Sequence, residues 1–285
     1  MVLTVSATLS NDQIHRFHRD GFVIVPNFAH TEHIQQAKAR FEPLFEGLFE
    51  TGIQPDEWNW RSGDDTTLTR QICNGWKSDR AIARLVLNVT IGQYCTMLMD
   101  WPGARINQDN VIWKPPGAKA LGFHQDDSYQ NWIEPASMIS CWVALDDTHT
   151  NSGSIEYAKG SHQWPVQTEK FTFHAPKDYH EGLRMSAHQI GVEHYDIEII
   201  TIKAGDAVFH HGRTWHGSGA NRSEYHRRAV VAHCMSSEAC YHPTNNSPIY
   251  SRYRRFDSNQ MDESFFPILY TRDGYSSPFI HRYCQ

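Results

Sequence analysis

The residues of this chain best suited to chemistry are His124 and Asp126, in Gly122-Phe123-His124-Gln125-Asp126, together with His216, in Thr214-Trp215-His216-Gly217-Ser218-Gly219. His124 and Asp126 are spaced i, i+2, which in an extended strand sends both side chains to one face. Two imidazoles and one carboxylate, with the second imidazole far away in sequence, form the ligand set of a non-haem Fe(II) oxygenase. Iron needs neutral imidazoles and an ionised carboxylate, and these three residues supply them. Three ligands on one side of a metal leave positions for O2 and for a 2-oxo acid bound through its keto and C1 carboxylate oxygens. The chain has 18 histidines, so a His-x-Asp pair alone carries little weight and its surroundings must decide.

The remote carboxylate of such a co-substrate would need a cation inside the protein, and Arg pairs with carboxylates through two parallel bonds. Arg227 and Arg228 lie in one β-like run and point to opposite faces. Arg227 shares its face with Ala229, Val231 and His233. Alternation alone does not choose between the two.

The elements that position these residues are readable in outline. Ser10 and Gln13 form a capping box, Leu9 and Ile14 a hydrophobic staple, and Asp20-Gly21 a stop, which predicts a first helix. Phe22 to Val25 reads as a strand closed by Pro26-Asn27. Residues 31–49 carry helical spacing, with Pro43 as a kink or break. Residues 52–70 read as loop. A second long helix is expected from an N-cap at Ser78 to Met99. From about Arg105 short β-like runs follow, at 105–113, 138–145, 154–157, 197–203, 206–211 and 226–235. Pro115-Pro116-Gly117, Asn151-Ser152-Gly153, Gly205-Asp206 and Gly217-Ser218-Gly219 read as the turns between them. Short strands after helices suggest an antiparallel double-sheet barrel backed by the N-terminal helices. Residues 164–196 are polar and irregular, as in a lid or insertion. No domain boundary stands out. The expectation is one domain over 1–285, with helical support in 1–104, the β core in 105–235 and a C-terminal extension in 236–285.

Composition narrows the partners. Of 285 residues 40% are apolar, with nine Trp, which fits a globular chain with a sizeable core. The net charge of -6 and the absence of a basic block argue against nucleic acid as a partner. Met138 to Leu145, interrupted by Ser140, is too short to span a bilayer. Met1 to Val5 has no basic region and begins no signal-length apolar run. Cys73, Cys95, Cys141, Cys234, Cys240 and Cys284 form no C-x-x-C pair and read as reduced thiols of a cytoplasmic protein. Oligomeric state is not legible.

Several ordered motifs together resemble the phytanoyl-CoA dioxygenase family of Fe(II)/2-oxoglutarate oxygenases. They are Asp20-Gly21-Phe22, Gln108-Asp109 with Lys114-Pro115-Pro116-Gly117, Phe123-His124-Gln125-Asp126, Trp142-Val143-Ala144-Leu145-Asp146-Asp147, Gly160-Ser161-His162, His216 through Ser223, and Asp262 through Pro267. The resemblance covers nearly the whole chain. It implies a double-stranded β-helix, the jelly-roll or cupin-like barrel, with N-terminal helices packed on one sheet. It implies Fe(II) on His124, Asp126 and His216, 2-oxoglutarate on Arg227 rather than Arg228, and Gln125, Trp142 and Ser218 beside the co-substrate. Halogenating relatives of this chemistry carry Ala or Gly in place of the metal carboxylate. Asp126 therefore favours hydroxylation of an unactivated C–H bond, with release of succinate and CO2.

Asn107, Asp127, Tyr129 and Trp132, with 164–196, are expected to line the entrance. Their acidic and aromatic character would suit a small, polar, nitrogen-bearing metabolite more than a long acyl-CoA. A tailoring step in natural-product biosynthesis, such as alkaloid hydroxylation, is the expected role. Desaturation, cyclisation or epimerisation with the same cofactors is an alternative. A zinc hydrolase on the same three ligands, or a non-catalytic ligand-binding barrel, is a further one.

Overall fold

The computed structural model describes residues 8–284, so the expectation for Met1 to Val5 lies outside the described residues. Helix α1 (Asn11–Asp20) starts where Ser10 Oγ accepts from Gln13 N and the Gln13 side chain accepts from Ser10 N, and it stops at Gly21 with φ +86°. Buried Leu9 and half-buried Ile14 share the adjoining cluster, as a staple requires. Strand β1 (Phe22–Val25) follows. Helix α2 (Thr31–Phe45) ends earlier than 49 and holds Pro43 in its last turn without splitting. The region read as loop contains β2 (Glu57–Trp58) and leads into β3 (Arg70–Cys73).

The long helix expected from Ser78 is two helices. The Asp79 carboxylate caps α3 (Arg80–Val86) by accepting from Ala81 N and Ile82 N. The Asn88 side chain accepts from Thr90 N and starts α4 (Val89–Met99). A short polar side chain that satisfies the backbone locally ends one helix and opens another. By length and composition 80–99 could cross a membrane, but it is broken at Leu87-Asn88, and Ile82, Val86, Ile91 and Cys95 are fully buried in the core.

The β region comprises β4 (Gly103–Lys114), β5 (Leu121–His124), β6 (Ile133–Glu134), β7 (Ile139–Ala144) and β8 (Ile155–Ala158). Helix α5 (Glu181–Gln189) precedes β9 (Ile197–Ile199), β10 (Ala207–His211), β11 (His216–Ser218) and β12 (Arg227–Ser236). The chain closes with β13 (Cys240–Tyr241), β14 (Ile268–Thr271) and α6 (Phe279–Tyr283). Gly217-Ser218, expected to turn, is thus part of a strand.

An eight-stranded sheet runs β1-β10-β7-β12-β4-β3-β2, with β14 also on β4, and a four-stranded sheet runs β5-β11-β8-β9. Side chains alternate along the large sheet. Cys141, Val143, Phe209, Val230 and Ala232 face outward and share one core with Ile34, Phe41, Ile82 and Leu98 of the helices. Trp142, Ala144, Val208, Ala229 and Val231 face inward and meet Ile155 and Tyr157 of the small sheet. The core is therefore mostly β, with the N-terminal helices packed on one sheet. The two sheets are not closed by hydrogen bonds into a barrel.

Residues 164–196 are more ordered than expected. Besides α5, the stretch 171–179 lies along β5, where Gly122 N donates to Phe173 O and Phe123 N to Tyr179 O. A side chain at Gly122 would meet Thr172 O at 2.6 Å, so glycine permits that approach.

Candidate metal and co-substrate site

The strand carrying His124 ends at that residue, and Asp126 opens a short 3-10 helix, Asp126–Tyr129. Gln125 between them stays extended, at φ -115° and ψ 130°, so the alternation that sends His124 and Asp126 to one side survives. His216 opens β11 and lies directly across from His124 in the antiparallel pair. Gly217 makes that pairing possible, because a Cβ there would come within 2.5 Å of Phe123. One ligand atom from each of the three residues lies within 4.8 Å of the others.

Hydrogen bonding fixes which atoms point into the cluster. His124 Nδ1 donates to Gly122 O at 3.0 Å, and His216 Nδ1 donates to Thr214 O at 2.9 Å. A carbonyl can only accept, so both protons sit on Nδ1 and both Nε2 lone pairs are free. These Nε2 atoms stand 3.4 and 3.6 Å from Asp126 Oδ1. Burial, then the nearby His124, hold the pKa of His216 well below its ordinary value, which keeps it neutral as a ligand must be. Burial alone would raise the Asp126 pKa. The imidazoles packed around the carboxylate and the hydrogen bond from His210 outweigh it and hold the carboxyl ionised.

Arg227 begins β12 on its inward face, and Arg228, facing the helices, makes a two-bond pair with Asp146 at 2.9 and 3.0 Å. Arg227 is 2% exposed. Its Nε donates to Gly153 O at 3.1 Å, its guanidinium lies 5.8 Å from the Trp142 ring centre, and no carboxylate pairs with it among the described residues. Burial pushes its pKa down to about 10, so it remains a cation at neutral pH. Across the ladder from it, Lys114 is fully buried and donates to Ser218 O and Gly219 O.

A cavity of about 60 Å³ joins these groups. His124, Asp126, His216, Trp142, Ser218 and Arg227 all line it. Other sequence-predicted residues stand elsewhere. Gln125 does not line it; its Nε2 donates to Arg213 O at 2.8 Å and its Oε1 accepts from Gln167 N, so it tethers the 164–196 segment. Asp127 is buried and accepts from Met138 N at 2.8 Å, in a turn role. Trp132 belongs to a separate core with Tyr241, Tyr250 and Phe266. Asn107 is buried, and its Nδ2 donates to Gln130 Oε1 at 2.8 Å. Tyr129 is exposed, with its ring centre 6.2 Å from that of His124, and lines a neighbouring groove.

The cavity also contains residues that motif reading missed: Gln71, Asn110, Phe173, His210 and His233. The signal for His233 was present, since it shares the face of Arg227. His210 and Asn110 could have been found only by assigning the inward face of each strand. Phe173 arrives from the segment laid along β5 and stands edge-on to His124, 4.9 Å between centres. Nothing in its local sequence announces that.

A divalent metal fits this donor set: two free imidazole nitrogens and one carboxylate oxygen converge, and the hydrogen bonds behind them prescribe their direction. A dicarboxylate suits the same cavity, because the buried Arg227 lacks an anionic partner among the described residues.

The family model for phytanoyl-CoA dioxygenase matches residues 17–229, which include every residue of the triad and Arg227. The chain belongs to the phytanoyl-CoA dioxygenase family. Among its relatives is the peroxisomal phytanoyl-CoA dioxygenase of Rattus norvegicus, 26% identical over 254 residues, covering 82% of this chain and 70% of that one. Its fold is similar to the non-heme alpha-ketoglutarate-dependent carbocyclase SnoK from nogalamycin biosynthesis, with TM-score 0.70, 22% identity, and coverage of 92% of this chain and 96% of that one. It is also similar to the epimerase SnoN in complex with Fe3+, alpha-ketoglutarate and nogalamycin RO, with TM-score 0.67, 22% identity, and coverage of 90% and 97%. Members of the phytanoyl-CoA dioxygenase family depend on iron and 2-oxoglutarate, and the residues of this chain suit both.

Proposed function

We propose that this oxygenase hydroxylates an unactivated C–H bond of a small polar metabolite, in a tailoring step of natural-product biosynthesis in the cytoplasm. The observation that carries the reading is one cavity holding His124, Asp126 and His216 at one place and an unpaired, buried Arg227 at another. We read 1–285 as one catalytic unit whose two sheets form the double-stranded β-helix of the family.

Iron, 2-oxoglutarate and O2 together supply the oxidant, and succinate and CO2 leave as by-products. The protein's own part is placement. His124 Nε2, Asp126 Oδ1 and His216 Nε2 would hold the metal. Arg227 would take the distal carboxylate by a charge-assisted pair, with Trp142 and Ser218 as walls. Ile112, Leu121, Ile155 and Val231 exclude water around that pair. Phe173 and the amide of Gln71 remain for the substrate side. The likeness to SnoK and SnoN, both from nogalamycin biosynthesis, supports a natural-product substrate. Because those neighbours are a carbocyclase and an epimerase, cyclisation or epimerisation with the same cofactors is the competing outcome, and product mass separates it from hydroxylation.

The test is an anaerobic titration of metal-free protein with Fe(II) and then 2-oxoglutarate, followed by visible absorption. A weak charge-transfer band that requires both additions and is lost in His124→Ala is the expected result. Tight metal binding without any such band would overturn the 2-oxoglutarate assignment and return weight to a hydrolase or binding protein.

A further inference from the structure

Asp126 is gripped from behind by two hydrogen-bond relays whose every proton has a fixed direction. In the first, Tyr157 O–H faces His210 Nδ1 at 2.8 Å and His210 Nε2 faces Asp126 Oδ2 at 3.2 Å. An ionised carboxylate only accepts, so the His210 proton sits on Nε2 and the tyrosine donates to Nδ1. In the second, Asn110 Nδ2 donates to His233 Nε2 at 2.9 Å, and His233 Nδ1 donates to Ser140 Oγ at 2.7 Å. Ser140 then donates to Asp126 Oδ2 at 2.7 Å. His233 Nδ1 itself stands only 3.4 Å from Oδ2. Tyr157, His210, Ser140, Asn110 and His233 are all buried, on five different stretches of both sheets.

Both relays end on the same oxygen. Oδ2 therefore has its lone pairs engaged, while Oδ1 faces the free Nε2 atoms of His124 and His216. We propose that His210 and Ser140, backed by Tyr157 and by His233 with Asn110, are positioning residues that commit Asp126 to offer a single oxygen to the metal. The consequence is chemical. A carboxylate free to rotate could close on the metal with both oxygens and occupy a position that the co-substrate and O2 need. One that is tied through Oδ2 leaves three positions open. This inference rests on the proposed metal site, and its test keeps the two apart.

The experiment is calorimetric titration of metal-free protein with Co(II), together with the visible d–d spectrum of the loaded protein. His210→Leu strands the buried Tyr157 hydroxyl, so it is paired with Tyr157→Phe. The expected result for this double variant is a Co(II) affinity about 10–100-fold weaker, as is usual when a group behind a metal ligand is removed, and an altered d–d spectrum. Ser140→Ala, a minimal change, should move both readouts in the same direction. His210→Gln places an amide N–H near the position of Nε2 and should restore affinity and spectrum toward those of the unaltered protein. A role in packing alone would not produce that rescue. Unchanged affinity and spectrum in both the double variant and Ser140→Ala would overturn the positioning role while leaving the metal site standing. If the unaltered protein bound no Co(II), or Asp126→Asn bound it equally well, the metal site itself would fall.

Discussion

An arginine buried without a carboxylate beside it is costly, because several kcal/mol of lost hydration, roughly, go uncompensated. Among the described residues Arg227 is in that state, and its Nε donates to the Gly153 carbonyl at 3.1 Å. Its neighbour in sequence, Arg228, is fully paired with Asp146 on the other face of the same strand. The two residues are chemically alike, and only the sheet separates a structural ion pair from a ligand-seeking charge. Arg227→Met keeps length and apolar bulk while removing the charge. We expect it to weaken 2-oxoglutarate binding by about 2–5 kcal/mol, the usual cost of deleting one partner of a buried charge pair. The melting temperature without 2-oxoglutarate should hold or rise, and added 2-oxoglutarate should no longer raise it. Arg228→Met should do the reverse, losing stability while keeping 2-oxoglutarate affinity. Calorimetry and thermal melts with and without the keto acid check both.

At the scale of elements, the site depends on how closely β11 approaches β5. A methyl group at Gly217 would lie 2.5 Å from the Phe123 ring and 3.0 Å from its Cα, which is backbone and cannot swing aside. Gly217→Ala should therefore cost about 1–3 kcal/mol by overpacking and, by parting His216 from His124, weaken metal binding as well; melting temperature and Co(II) titration read the two effects. A second device ties the short turn that follows β3, at Gly75–Lys77, to β4. Asp109 accepts from Trp76 N at 2.9 Å and Gly75 N at 3.2 Å, and burial raises its pKa to about 7 against the pull of those bonds. Its folded pKa lies above the unfolded value, so between about pH 4 and 7 the folded protein keeps a proton that the unfolded chain has released. Stability must then fall as pH rises through that window. The melting temperature should drop more steeply from pH 4 to 7 in the unaltered protein than in Asp109→Asn. Much of this layer was legible in sequence. The first helix carries its capping box, staple and terminal glycine in plain order, and β7, β10 and β12 announce themselves as short apolar runs bounded by turn residues. What stayed hidden depends on partners distant in the chain. Strand β11 reads as a glycine turn because its glycine serves a contact with Phe123, and β3 carries no strand signal of its own because its pairing partner β4 is distant in the chain. The helix break at Asn88 turned on a single side chain choosing its own backbone.

At the scale of the whole molecule, four separate cores divide the work among the described residues: helices against the outer sheet face, sheet against sheet around the cavity, a third core built by the C-terminal extension, and a small fourth in which Leu183 of α5 meets Phe123 and Trp215. The grouping of His124, Asp126 and His216 was legible because ligand chemistry restricts residue type, whereas the choice of Arg227 over Arg228 needed the family resemblance. The entrance residues were not, because acidic or aromatic character near a motif says nothing about which core a side chain joins. Trp132 follows the metal motif by six positions, yet it packs 5.0 Å from the Tyr250 ring centre and 6.0 Å from that of Phe266, both contributed by the C-terminal extension. It therefore anchors the extension to the β core and does not line the cavity. Trp132→Ala should cost about 3–5 kcal/mol of stability, as truncation of a large buried aromatic does. Below its lowered melting temperature it should bind Co(II) and 2-oxoglutarate with unchanged affinity, since it packs in a core apart from His124, Asp126 and His216. A loss of affinity larger than the loss of folded fraction would instead mean that the third core shapes the cavity, and that the C-terminal extension belongs to the catalytic unit through the site as well as through the fold.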